Sequence, residues 1–281
     1  MAELFTIRYQ AENKYEFPVI EASWQFLIVP EENRSQSKPS IQFTNSEGNP
    51  WELSRNGFGF TVIRLRNRHK LEHITFEAEF QLLKQPVNPF DFDPAALRPY
   101  QPEFLSGTEF RIVFSSFLRP TRLTTLPGDL PFNFDPAGST LENLQALNHW
   151  VYKDLKYTSG LTHVNTTLSE ILELRKGVCQ DFAHLFIAIA RSHGLPARYV
   201  SGYLHQGMGY FGDAQMHAWA EVYVPDIGWV GFDPTNDLLA GSDHIKVAHG
   251  RDYTDCSPLK GVVYGPGDNE SQHKVSVQSQ Q

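Results

Sequence analysis

The chain has 281 residues, a formal net charge of -8 at pH 7, 41% hydrophobic and 13% aromatic side chains, and two cysteines. That apolar content supports one large or two ordinary domains without covalent staples, and two cysteines exclude a disulfide framework or a CxxC-type zinc site. An acidic balance with no dense Lys/Arg cluster excludes the footprint of a phosphate backbone, so no nucleic-acid partner is expected. The nearest approach, Arg64, Arg66, Arg68, His69 and Lys70, reads as a solvated strand edge and hairpin. The first residues show no continuous apolar run, and the longest strongly apolar stretches, 26–29 and 182–190, are too short to span a bilayer. No membrane association is expected, and a reducing, cytoplasmic setting fits.

From residue 4 to about 84 the pattern is period-2 alternation broken by turn residues, as in Phe5, Ile7, Tyr9 and in Phe58, Phe60, Val62. This predicts an antiparallel, sandwich-like β domain over 1–95. Five prolines between Pro86 and Pro102 mark the connection, because proline fixes its own φ and pushes its predecessor out of the helical region.

The second domain is expected over 96–265. Ser139 with Glu142 makes a capping box ahead of Leu141, Leu144, Leu147, Val151 and Leu155, which share one helical face; Thr167 with Glu170 repeats the device, with Gly177 as the stop. Next comes CQDFAHLFIAIARSHGLP, apolar nearly all round from Phe182 to Ala190 except at His184, with Gly194 in the C′ position: a buried helix. ARYVSGYLH, MHAWAEVYV and GWVGFDPT read as strands of an antiparallel sheet. The fold class is therefore α+β. The polar residues 266–281 read as a disordered tail.

Cys179 stands at the mouth of the buried helix, where free N–H groups and the helix dipole favour an anion and offer a donor to an oxyanion. A cysteine in an apolar helix is also commonly a small buried hydrophobe, and both readings stand at this point. His217 shares a strand face with Trp219, Glu221 and Tyr223. Asp233 lies on the next strand and meets His217 only in an odd register: a closed four-residue turn over 225–228 would turn it away, whereas a three- or five-residue loop, or a bulge, brings it round. The odd register is predicted. His184, about 140° round the helix from Cys179, reads as a satisfied core histidine, and Asp181 as a helix cap. Gln180, Trp219 and Tyr157 are candidates for contact with substrate, Tyr157 also as a second oxyanion donor, although packing is the competing reading for Trp219. The glycine-rich segment 205–215 suits a mobile loop over the site or an ordinary hairpin loop. No HExxH or paired histidine spacing appears, so no metal or other cofactor is expected.

The stretches GVCQDFAHLFIAIARSHGLPARYVSGYL, HAWAEVYVPDIGWVGFDPTN and GRDYTDCSPLKGVVYG resemble the core of the transglutaminase-like superfamily, especially bacterial members often described as cysteine proteases. The resemblance runs with gaps from about Leu141 to Gly265. It implies a papain-like arrangement of helix and sheet, with Cys179 as nucleophile, His217 as base and Asp233 as orienting carboxylate. It also implies thiol-dependent cleavage of an amide or peptide bond in a protein or peptide substrate. Amine transfer by the same three residues and a non-catalytic scaffold are the alternatives. Gln180 departs from the family, since cross-linking members carry Trp directly after the nucleophile, and Cys256 has no motif role. Oligomeric state is not encoded in any motif.

Overall fold

The computed structural model describes residues 1–93, 97–101, 107–129 and 132–280. The expected domain boundary between 95 and 96 lies outside the described residues. The N-terminal strands are β1 (Glu3–Val19), β2 (Glu21–Phe26), β3 (Ser40–Asn45), β4 (Trp51–Arg55), β5 (Thr61–Asn67) and β6 (Leu71–Lys84). Helices α1 (Thr108–Val113), α2 (Ser115–Leu118), α3 (Thr140–Asp154), α4 (Leu168–Leu174), α5 (Cys179–Ser192) and α6 (Tyr253–Cys256) follow. The remaining strands are β7 (Lys156–Tyr157), β8 (Lys176–Gly177), β9 (Ala197–Leu204), β10 (His217–Val224), β11 (Gly228–Asp233), β12 (Leu238–Leu239), β13 (His244–Gly250), β14 (Leu259–Tyr264) and β15 (Asn269–Gln280).

Two four-stranded antiparallel sheets, β15-β1-β6-β3 and β14-β2-β5-β4, bury the faces that the alternation marked. Phe5, Ile7 and Tyr9 of β1, Trp24 and Phe26 of β2, and Phe76 and Phe80 of β6 all point inward, and Trp24 and Phe26 each meet the Phe76 ring edge-on. Arg64 and Arg66 lie exposed on β5, an interior strand that β2 and β4 flank and not an edge, and Arg68, His69 and Lys70 lie exposed in the connection to β6, which joins two different sheets and so closes no hairpin.

The C-terminal segment corrects the sequence reading. Residues 266–281 were expected to be disordered on polarity alone. Instead β15 pairs with β1 from Leu4↔Gln280 to Tyr15↔Asn269, burying Val275 and Val277, while β14 pairs with β2. Alternation in HKVSV presents just two valines inward, enough for an outer strand whose other face stays wet, and β1 supplies the backbone partners that a composition argument leaves out. Residues 259–280 therefore complete the two N-terminal sheets.

The five-stranded sheet β12-β11-β10-β9-β13 is antiparallel throughout, with α5 packed on it. Phe186 of α5 stacks on Phe232 of β11, at 5.2 Å between ring centroids. The expected caps form: the Glu142 N–H donates to Ser139 Oγ and the Thr167 N–H to Glu170 Oε2. α4 ends earlier than the sequence reading had it, with Arg175 at φ 51°. Gly177 serves β8 instead, where a Cβ would stand 2.5 Å from the Asp181 carboxylate. At the other end of α5, the buried Arg191 guanidinium donates to the carbonyls of Phe117, Arg119, Ala197 and Arg251, and Gly194 takes φ 78° at C′. No helix among the described residues is long and apolar enough to cross a membrane.

Candidate active site

Cys179 is the first residue of α5 and is partly exposed. Asp181 shapes this helix mouth: its Oδ2 accepts from the Val178 N–H at 2.8 Å and from Thr162 Oγ1 at 2.7 Å. That arrangement confirms its capping role. Burial raises the Asp181 carboxyl above its ordinary range, against the opposing pull of those two donors. The first-turn N–H groups of Cys179 and Gln180 have no acceptor one turn back, as the geometry of any α-helix start requires. They stand beside the sulfur.

The parallel pair β7 and β8 sets Tyr157 opposite Gly177, so two segments twenty residues apart in sequence share the approach to Cys179. Tyr157 is half-buried and stacks on Phe211 at 5.1 Å. Burial first, then the neighbouring Cys179 and Asp213, push its hydroxyl up to about 12, which keeps it protonated and able to donate.

The β10–β11 hairpin takes the odd register. Val224 pairs with Gly228, leaving the three-residue loop 225–227, and the ladder continues to Ala220↔Phe232. Asp226 at φ 64° and Gly228 at φ 103° supply the left-handed conformations that such a loop requires. One step further along that register Asp233 falls opposite Trp219, on the face that His217 shares. His217 Nε2 and Asp233 Oδ2 are 2.8 Å apart, and both side chains are fully buried.

The other ring nitrogen of His217, Nδ1, has no regular hydrogen bond. Cys179 lies within electrostatic reach of the ring and raises its proton affinity, while no hydrogen bond of regular geometry joins the two. Burial lowers the proton affinity of the ring; the charge and hydrogen bond of Asp233, and then Cys179, outweigh it and push His217 up to about 10. Asp233 is the counterpart. Burial raises its carboxyl, but the charge and hydrogen bond of His217, followed by those of His244, hold it well below the usual carboxylate range.

Sequence reasoning missed three supports of Asp233. Its Oδ1 accepts from the Thr235 N–H at 3.0 Å, and its Oδ2 also accepts from Asn236 Nδ2 at 2.9 Å and from His244 Nε2 at 3.2 Å. Asn236 sits in the GFDPTN run and was within reach of a turn argument. His244 opens β13, two strands away from His217 with β9 between, and no local pattern signals that contact. His217, Asp233 and His244 carry donor atoms within 4.8 Å of one another and by donor type could hold a metal ion. As placed, each Nε2 bonds the same carboxylate oxygen.

The three candidates for substrate contact differ in exposure. Trp219 is 2% exposed, lying against the His217 ring and meeting His244 edge-on at 5.1 Å, so it packs beneath the site and does not line a groove. Gly202 makes room for it, since a Cβ there would come 2.5 Å from Trp219 Cη2. Gln180 is 8% exposed, because α5 buries nearly all of its first turn, and offers a substrate little surface. Tyr157 keeps a face toward the site. His184 is buried and its Nε2 accepts the Tyr253 N–H at 3.2 Å, as a satisfied core histidine should. Cys256 is fully buried.

Segment 205–215 lies over the imidazole. Gly212, at φ 84°, comes so close that a Cβ would stand 2.9 Å from His217 Nδ1. The loop is tied down on two sides: the Phe211 N–H donates to Asn236 Oδ1, and Gln206 bridges to Val275 and Val277 of β15.

Residues 132–234 match the model of the transglutaminase-like superfamily. An uncharacterized protein of Mycobacterium tuberculosis is 35% identical over 231 residues, covering 77% of this chain and 73% of its own length. A protein-glutamine gamma-glutamyltransferase of Pseudomonas aeruginosa is 32% identical over 100 residues, which is 33% of this chain and 14% of that protein. Among solved structures, one described as "a Putative Cysteine Protease from Cytophaga hutchinsonii" superposes with a TM-score of 0.78 at 22% identity, covering 99% of this chain and 91% of that one; it attests the fold. With its core motifs in order and a long relative at this identity, the chain belongs to the transglutaminase-like superfamily.

Proposed function

We propose that the protein is a thiol hydrolase that cleaves an amide or peptide bond in a protein or peptide substrate, working in a reducing compartment. The Cys179 sulfur attacks the carbonyl carbon. The N–H groups at the start of α5, with the Tyr157 hydroxyl, receive the oxyanion, and His217 delivers a proton to the amine as the C–N bond breaks. Water then attacks the thioester carbonyl, His217 takes its proton, and the thiolate leaves.

The observation that supports this reading most is the single imidazole joined through Nε2 to a buried carboxylate and standing within electrostatic reach of the thiol at a helix mouth. That is the orienter–base–nucleophile logic of thiol enzymes. Amine transfer is the second reading, favoured by the name of the Pseudomonas relative, and it differs only in what reaches the thioester.

A peptide library incubated with wild type and with Cys179→Ala, with and without a primary amine, separates these outcomes by product mass. Hydrolysis adds water and transfer adds the amine. Cleavage that survives Cys179→Ala contradicts both.

A further inference from the structure

We propose that His244 is a positioning residue, a neutral hydrogen-bond donor that holds Asp233 in place for His217. This rests on the reading of Asp233 and His217 as the machinery that activates Cys179.

Which nitrogen of His244 carries the proton follows from its neighbours. The Gly241 N–H points at Nδ1 at 3.3 Å, and an N–H requires an acceptor, so Nδ1 is unprotonated and the proton sits on Nε2. Nε2 faces Asp233 Oδ2 at 3.2 Å and therefore donates to it. The ring is 4% exposed. Burial lowers its proton affinity, against the pull of Asp233, which keeps it in this neutral form. Its plane is set by the edge-on contact with Trp219, and the turn that carries it is closed by the His244 N–H donating to the Gly241 carbonyl at 3.2 Å.

A wholly buried carboxylate needs several donors to stay ionised. Thr235 and Asn236 come from the same turn as Asp233 and move with it. His244 comes from β13, across the sheet, so it is the donor that ties the carboxylate to a fixed frame. Without it, Asp233 keeps its local partners but loses its external reference, and the His217 ring loses the fixed acceptor that sets its tautomer.

The test compares iodoacetamide alkylation of Cys179 at pH 7, followed by mass, in wild type, His244→Gln, His244→Phe and His217→Ala, with thermal unfolding recorded for each. Glutamine places an N–H donor close to the Nε2 position, whereas phenylalanine fills the space without donating. His244→Phe is expected to slow alkylation on the order of tenfold, the scale of a lost hydrogen bond to a charged group, and His244→Gln to stay within about threefold of wild type. A purely structural role gives the reverse ranking, with Phe at the wild-type rate, and overturns the inference. Ring nitrogen NMR of the wild type decides it independently: His244 must show a protonated Nε2 and a bare Nδ1 at pH 7, and the opposite tautomer or an imidazolium overturns it. If His217→Ala alone reacts like wild type, the proposed function fails, and the NMR result still decides the role of His244.

Discussion

The β10–β11 hairpin and the β1–β15 pair are both antiparallel ladders, yet one joins neighbours in sequence and the other joins the two ends of the chain. In the hairpin, three loop residues and the period-2 rule suffice to bring Asp233 to the face of His217. In the terminal pair no local rule applies, since a strand with two buried valines and ten more residues of mostly polar character finds its place through a partner more than 250 residues away. Parity over a short loop is a strong constraint, whereas composition over a terminus is a weak one. The two ladders meet at segment 205–215, which covers His217 from above and is held by Gln206 to β15.

Breaking the hairpin product carries the largest expected effect. Asp233→Asn preserves shape but removes the negative charge and turns one acceptor oxygen into an N–H donor, so the His217 tautomer is no longer fixed, and turnover is expected to fall about 10³- to 10⁴-fold with the fold retained by circular dichroism. Gly212→Ala comes next. Its methyl group would press on Nδ1 from a left-handed φ, so turnover should fall on the order of 10²-fold, while Gly209→Ala, also left-handed but facing open space, should cost about 1 kcal/mol of stability and little activity.

The buried pair also makes stability depend on pH. Asp233, depressed when folded, contributes stability that is complete above its unfolded value of about 3.9 and is lost as pH falls toward its folded value. His217, raised to about 10, contributes stability that is complete below its unfolded value of about 6.5 and is lost as pH rises through about 10. The melting-temperature gap between wild type and His217→Ala should therefore be widest between about pH 4 and 6.5 and shrink from there to about pH 10. Taking the difference is expected to cancel the opposing contribution of His184 and His249, which burial lowers to about 3.

The smallest effect tests the terminal ladder. Val277→Ala removes two buried methyl groups and should cost about 2 kcal/mol by denaturant unfolding. A free tail would show no change.

Much of the site could be read from the sequence because its signals are local. A capping Asp181 two residues after Cys179, a strand opened by His217, and Asp233 beyond a short turn each follow from periodicity or turn chemistry. The resemblance to the family then named their roles. What escaped was long-range: His244 reaching over β9 and Gly202 hollowed out for Trp219. Trp219 was ambiguous because alternation assigns a face and not an exposure, and only the packing of β9 and β13 shows that this face is covered.

The central claim is that His217 governs the chemistry of Cys179, and the direct measurement is the second-order rate of iodoacetamide alkylation of Cys179 at pH 7 in wild type and His217→Ala. The account predicts a wild-type rate at least about tenfold higher, as expected for a thiol activated by its neighbour. Equal rates in two folded proteins would contradict it.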